Sequence, residues 1–443
     1  MADADRPNIL LIMSDQHHPR IMGCAGDSIV RTPHLDRLAA EGARFARAYC
    51  NFPLCGPSRM SFMSSRLPTE IDCFGNVAQL SSDVPTFAHA FCAGGYQTLL
   101  AGRMHFVGYD QRHGFERRLI GDVSPTAFVK GGYGLEPVLG ELMGTAGYSR
   151  TGLLKSGPGR SGYQAYDEAV CQTAVDWLTD RAAGHVDDAD DRPFMMTVGF
   201  VLPHCPFVAP PDDFHHYWPQ ITEGDLPPFD PDTAHPHDLA MRRAARLDDP
   251  DPIDAAAQRR TRVAYYGMVT HLDRQIGRLL QTLDDTGLAD NTIVVYVSDH
   301  GEQLGEHGLW WKSSFYEGSI GVPMIVRAAG RTTPGSVVNR NVSLLDVGPT
   351  LLAMAGVDPI PGATGHSFAP LLDGDDGDWP DEVIAENFDP RGQPQRMVKR
   401  GSWKYCCYTD TPEQLFDVDA DPDELDNRAE DPACAEVLAD LRQ

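Results

Sequence analysis

The pentapeptide Cys55-Gly56-Pro57-Ser58-Arg59 places a nucleophile, a helix-starting proline and a permanent cation within one short stretch. Residues Asn51 to Pro68 read as a turn running into a helix. Pro57 suits the first helical position, where an N–H would have no intrahelical partner anyway. Cys55 then stands at a helix N-terminus, where free N–H groups and the helix dipole favour an anion. Arg59 follows one turn later and can return to the same spot as a planar, always-charged anion ligand. The spacing predicts a nucleophile at an anion site; the alternative is a small buried cysteine beside an unrelated arginine. The C-x5-R loop of cysteine-dependent phosphatases is excluded, because Ser61 occupies the position that loop gives to arginine.

Four apolar runs lead into residues of the same chemical kind. Asn8 to Met13 runs into Ser14-Asp15-Gln16, and Tyr96 to Ala101 into Gly102-Arg103-Met104-His105. Phe194 to Val201 runs into Leu202-Pro203-His204, and Thr292 to Val297 into Ser298-Asp299-His300-Gly301. Ligands of open parallel sheets sit beyond the carboxyl ends of the strands. A single histidine after a strand is ordinarily structural, but four such ends beside Cys55 predict one shared site. Asp15, Asp299 and His300 form a candidate divalent metal set. The carboxylates suit Ca²⁺ or Mg²⁺, and the imidazole tilts the set toward Mn²⁺. The competing reading makes both aspartates simple caps of the loops that follow them.

These runs must belong to an α/β fold, a large mainly parallel (mixed) sheet flanked by helices. Pro323 to Arg327 is a shorter strand candidate, and Val269, Leu272, Ile276, Leu279, Leu280 and Leu283 fall at helical spacing. Residues 120 to 165 and 205 to 258 read as long excursions from the sheet. Beyond residue 372 short strand-like pieces alternate with turns: Val383 to Ala385, Arg396 to Lys399, Trp403 to Tyr408 and Gln414 to Val418. They predict a small antiparallel α+β domain over 373–443, after a catalytic domain over 1–372.

The 443-residue chain has 42% hydrophobic and 23% charged residues, as an ordinary globular protein does. Its net charge of −26 argues against nucleic acid or an anionic membrane as partner. An anion site in such a chain needs a locally positive pocket. Met1 to Pro7 is acidic, and Ile9 to Met13 is too short for an export signal core or a membrane span. Ten cysteines without paired spacing read as reduced thiols, so a cytoplasmic location is expected.

C-x-P-S-R resembles the signature of sulfatases, in which an activating enzyme oxidises the cysteine to formylglycine. The likeness extends along nearly the whole chain. Thr32-Pro33-His34-Leu35-Asp36-Arg37-Leu38-Ala39-Ala40-Glu41-Gly42 matches a conserved-type segment of that family, T-P-x-x-D-x-L-A-x-x-G. Gly102-Arg103-Met104-His105 matches its G-K-x-H, Asp299-His300-Gly301 its late D-[NH]-G, and His204 and Lys312 its later histidine and lysine. The chain is thereby identified as a member of the formylglycine-dependent sulfatases of the alkaline phosphatase superfamily. Met104 to Glu116 and Ser298 to Pro323 look especially like choline sulfatases, whose relatives include phosphonate monoester hydrolases.

The resemblance implies an alkaline phosphatase-like fold, one divalent metal (Ca²⁺ or Mn²⁺, with Mg²⁺ as a third choice) and formylglycine at Cys55. It implies metal contacts from Asp15, Gln16, position 55, Asp299 and His300. A hydrated aldehyde would attack sulfur, with Arg59, Arg103 and Lys312 clamping the sulfuryl oxygens. His204, with Lys312, would protonate the leaving alcohol, and His105 or Asp299 would deprotonate the second hydroxyl to expel sulfate. Partners implied are a small organic sulfate ester and a formylglycine-generating enzyme, with a homo-oligomer left open.

Three departures stand out. Gln16 replaces a second aspartate, Arg103 replaces lysine, and no tryptophan lies between residues 120 and 176. Choline sulfatases use aromatic residues there to hold a quaternary ammonium. Tyr133, Tyr148 and Tyr163 are the available substitutes, and the expected substrate is an alkyl or sugar sulfate rather than choline sulfate. The alternative activity is hydrolysis of a phosphonate monoester or phosphodiester at the same site. A non-catalytic binding protein is disfavoured by the complete set of Cys55, Arg59, Asp15, Asp299, His300 and Lys312.

Overall fold

The computed structural model describes residues 6–122, 150–185, 191–224, 226 and 229–443. Its large sheet has eight strands: β1 (Asn8–Asp15), β2 (Ala43–Tyr49), β3 (Gln97–Gly102), β4 (Arg117–Ile120), β5 (Phe194–Pro203), β6 (Thr292–Ser298), β7 (Met324–Arg327) and β8 (Ser336–Ser343). The spatial order is β8-β2-β7-β6-β1-β5-β3-β4. All neighbours pair in parallel except β7, which runs against both β2 and β6. The sheet is therefore mainly parallel and mixed, as the apolar runs predict.

Alternation along β1 shows why those runs are continuous. Leu10 and Ile12 enter one core, while Ile9, Leu11 and Met13 enter another on the opposite face. A strand covered on both faces has no solvent side and so carries no polar alternation. Of the helices, α1 spans Pro33–Glu41, α2 Cys55–Ser64, α3 Gly162–Ala182 and α4 Ala255–Thr286. The first core is closed by α3 and α4, the latter through Val269, Leu272, Ile276, Leu279, Leu280 and Leu283. Met60, Phe62 and Met63 of α2 enter the second.

The C-terminal sheet is antiparallel, in the order β9 (Glu382–Phe388), β10 (Pro394–Arg400), β11 (Trp403–Tyr408) and β12 (Gln414–Asp417). It packs against the large sheet. Val383, Ala385, Met397 and Cys406 belong to the same core as β1 and α2. Asn51 donates to Ile384 O at 2.8 Å and accepts from Glu386 N at 2.9 Å, fixing β9 to the chain just before Cys55.

Three strands of the large sheet escape the sequence reading, β2, β4 and β8. The β8 strand forms one edge of the sheet and mixes exposed with buried residues, so it offers no apolar run. Of the two excursions, 205–258 carries the helices Pro211–Tyr217 and Pro236–Ala244. Residues 123–149 of the other, with Tyr133 and Tyr148, lie outside the described residues. All ten cysteines are free. Among the described residues no helix is long and apolar enough to cross a membrane.

Candidate active site

The helix α2 begins at Cys55 itself, two residues before Pro57. A proline is tolerated within the first turn because those N–H groups lack intrahelical acceptors. Asn76 supplies one from outside, its Oδ1 accepting from Gly56 N at 2.8 Å. All ten residues of α2 are buried, so the cysteine at its start faces a protein-lined site and not bulk water.

The carboxyl ends of β1, β3, β5 and β6 converge there. Gly102 closes β3 with φ +94°, in the left-handed region. A side chain on its neighbour Gly199 of β5 would strike Arg103 O, so glycine there lets the chain carrying Arg103 lie across β5. His204 follows β5 directly, its Nδ1 against Cys205 O.

Around the Cys55 sulfur stand Lys312 Nζ at 3.0 Å, His300 Nε2 at 3.2 Å and Asp15 Oδ1 at 3.5 Å. Asp15 Oδ2 accepts from Arg103 Nε at 2.6 Å and Arg59 Nη2 at 3.2 Å. Asp299 Oδ2 accepts from Arg59 Nε at 2.8 Å, and Arg59 Nη1 donates to Arg103 O at 3.0 Å. Sequence spacing aims Arg59 at the bound anion. In the structure four of its five N–H donors go to Asp15, Asp299 and main-chain oxygens, so it also braces the two carboxylates. Asp299 also caps as the alternative reading foresaw, accepting from Gln16 N and His300 N, yet it remains in the cluster.

Arg59, Arg103 and Lys312 thus gather around the buried carboxylates of Asp15 and Asp299 and bring basic groups to the place an anion would occupy. The carboxylates are not equivalent. Burial works against ionised Asp15, but Arg103, His204, Arg59 and Lys312 hold it well below the usual carboxylate range. Asp299 is pushed up by burial, with Arg59 as its main counterweight. Burial and Asp15 oppose ionisation of the Cys55 thiol; Lys312, His300 and His204 nevertheless hold it low. His204 is pushed up to about 10, since Cys205 and Asp15 outweigh burial and Lys312, which favours a protonated imidazole at neutral pH. His105 is shifted down by burial and by Arg103.

One atom each from Asp15, Cys55, Asp299 and His300 can gather within 4.8 Å of one another, and all four residues are buried. Two carboxylates and an imidazole at that separation are a donor set suited to a divalent cation. The His300 ring is oriented for it: Nδ1 lies 2.9 Å from Gly301 O, which leaves Nε2 aimed at the cluster. Gln16 adjoins this group through Lys312, whose Nζ donates to Gln16 Oε1 at 2.7 Å. Its amide nitrogen donates to Glu302 Oε2 at 2.5 Å.

Several supporting residues carry no signal in the sequence. Glu302 also accepts from Trp311 N at 2.6 Å. Tyr265 of α4 donates to Gln16 O at 2.6 Å and accepts from His18 N at 2.8 Å, holding Gln16 at φ 69°. Asp122 accepts from His105 N at 2.7 Å, and His105 Nε2 lies 3.0 Å from Asn76 O. Tyr163 packs edge-on against His204, with ring centroids 6.2 Å apart.

A family profile described as Sulfatase matches residues 7–357, and one described as N-sulphoglucosamine sulphohydrolase, C-terminal, matches 305–443. The choline-sulfatase of Rhizobium meliloti (strain 1021) is 35% identical, covering 96% of this chain and 83% of its own. The arylsulfatase of Clostridium perfringens (strain 13 / Type A) is 29% identical, covering 95% of this chain and 90% of its own. The crystal structure of the phosphonate monoester hydrolase of Agrobacterium radiobacter superimposes with a TM-score of 0.77 at 24% identity, over 98% of this chain and 94% of that one. The fold is therefore the alkaline phosphatase-like one. Because the first profile runs from β1 past β8, it takes in every strand end that meets at Cys55, and on that ground this chain belongs to the sulfatase family.

Proposed function

We propose that this sulfatase hydrolyses a sulfate monoester to alcohol and inorganic sulfate through formylglycine formed from Cys55. The observation that carries the reading is the convergence of Lys312, His300 and Asp15 on the Cys55 sulfur. A hydrated aldehyde there would supply the hydroxyl nucleophile, and a formylglycine-generating enzyme is the maturation partner this requires. Asp15, Asp299, His300 and position 55, with Gln16 beside them, would hold a divalent cation, Ca²⁺ or Mn²⁺ ahead of Mg²⁺. When bound, that ion supplies positive charge for the sulfuryl oxygens and the nucleophile.

The remaining roles fall to the chain itself. Arg103 and Lys312 neutralise sulfuryl oxygens with charges already fixed in place. Arg59 acts through Asp15 and Asp299, which it holds apart from one another's repulsion. His204 carries the proton for the departing alcohol, assisted by Lys312. Expelling sulfate needs a base for the second hydroxyl. Asp299 or His105 would serve; Asp299 belongs to the cluster around Cys55, while the ring nitrogens of His105 lie against Arg103 and Asn76 O. The division into a catalytic part, 1–372, and a small C-terminal part, 373–443, belongs to the same proposal and is supported by the separate antiparallel sheet. A cytoplasmic location is supported by the free cysteines.

The ester is proposed to be an alkyl or sugar sulfate. No tryptophan lies between 120 and 176, and Tyr163 is buried against His204. A panel of sulfate and phosphonate esters on formylglycine-containing enzyme tests this. An alkyl or sugar sulfate should give the highest kcat/KM. Choline sulfate ahead of every other ester would overturn the substrate assignment, and a phosphonate monoester ahead of all sulfates would overturn the reaction class.

A further inference from the structure

Lys312 stands between two residues in the left-handed region, Trp311 at φ 67° and Ser313 at φ 72°. Non-glycine residues occupy that region rarely, and for a bulky tryptophan it is a marked outlier. Two such residues in a row of three persist only where the surroundings over-determine them.

The main chain here is indeed held at several points. Trp311 O accepts from Gln303 N at 2.7 Å, and Ser313 N donates to Pro53 O at 3.0 Å. Trp311 N donates to Glu302 at 2.6 Å, and further supports come from the C-terminal sheet. Asn387 Nδ2 on β9 donates to Ser313 O at 2.7 Å. Lys404 Nζ on β11 donates to Phe315 O at 2.7 Å, and its charge is met by Glu317 at 3.0 Å and by Glu424. Asn387 is 3% exposed and Lys404 wholly buried. The β9 strand also holds Asn51, so one strand fixes both limbs of the site: the chain entering Cys55 and the chain leaving Lys312.

We infer that Asn387 is a positioning residue for Lys312: its side-chain amide holds the Ser313 carbonyl and thereby keeps the lysine ammonium on the nucleophile at position 55. Without that donor the Ser313–Ser314 peptide is free to rotate and Ser313 can leave the left-handed region, leaving the Ser313 N to Pro53 O bond to hold the peptide shared with Lys312. Lys404 anchors the next carbonyl but one, and contributes in the same sense. The inference rests on Lys312 serving as a charge-neutralising group in the reaction.

Asn387→Asp keeps the side-chain shape but turns an acceptor toward the Ser313 carbonyl. Asn387→Leu, close in volume, removes the polar group and carries the same comparison should the aspartate variant fail to fold. Each is measured alone and combined with Lys312→Ala, with kcat and KM determined separately and the thermal midpoint recorded. The expected loss in kcat is roughly 10- to 10²-fold with KM nearly unchanged. In the Lys312→Ala background the same change should cost less than about two-fold further, because residues acting as a unit are not additive. Equal losses in both backgrounds, or a wild-type kcat in the variant, would overturn the inference. A Lys312→Ala enzyme with undiminished kcat would instead overturn the role given to Lys312 itself.

Discussion

Asp299→Ala should lose divalent-cation binding and turnover together, and should lose stability as well. Asp299 is one of the four buried residues whose donor atoms gather at Cys55. It is also the acceptor for Arg59 Nε at 2.8 Å, with both side chains fully buried. Removing one partner of a buried ion pair leaves the other uncompensated, at a cost of about 3–5 kcal/mol. Loss of a ligand should lower kcat/KM by more than about 10²-fold, the upper range seen for groups merely supporting a ligand. Asp299→Asn separates the two effects: its amide oxygen can still accept from Arg59, so stability recovers in part, but the formal charge is gone. Cation binding followed by calorimetry, together with thermal denaturation, checks both. Undiminished cation affinity in Asp299→Ala would place the ion elsewhere.

His204→Ala should slow esters in proportion to how much their leaving group needs a proton. A poor alkoxide leaving group requires protonation in the transition state, whereas a nitrophenolate departs almost unaided. Alkyl sulfates should therefore lose roughly 10²- to 10⁴-fold in kcat, and activated aryl sulfates far less. The electrostatics agree with this, since His204 is among the groups that lower the Cys55 thiol and its own imidazolium is favoured. Arg59→Ala, which releases two carboxylates from their brace, should damage both ester classes alike. Equal losses for His204→Ala on the two classes would make it a residue that seats the sulfate.

Much of the chemistry of this site is legible in the sequence because Asp15, Arg103, His204 and Asp299 stand at the ends of strands that announce themselves, while Cys55 and Arg59 lie in one short motif. The runs before Asp15, Arg103, His204 and Asp299 are mainly apolar, since both faces of the sheet are covered. The supports are hidden for a physical reason. Tyr265, Asn387 and Glu302 act through one or a few hydrogen bonds to other segments of the chain, and a lone tyrosine or asparagine on its own element carries no trace of that. Arg59 shows the limit differently. Its type and spacing are right for an anion ligand, but only the structure reveals that most of its donors go to Asp15, Asp299 and main-chain oxygens. Similarly, Trp403 to Tyr408 reads plainly as a strand, while the buried Lys404 within it, and what that lysine holds, cannot be read from pattern. The same applies to the C-terminal sheet as a whole, which looks like an appendage in the sequence and shares a core with the catalytic sheet in the fold.

The central claim is that position 55 works as formylglycine. Peptide mass analysis of the segment containing residue 55, on protein co-expressed with an activating enzyme and assayed on the same sample, tests it directly. The account predicts that turnover rises in proportion to the fraction of Cys55 converted to formylglycine, and that Cys55→Ala is inert. Full activity in protein whose Cys55 is wholly unmodified would contradict it.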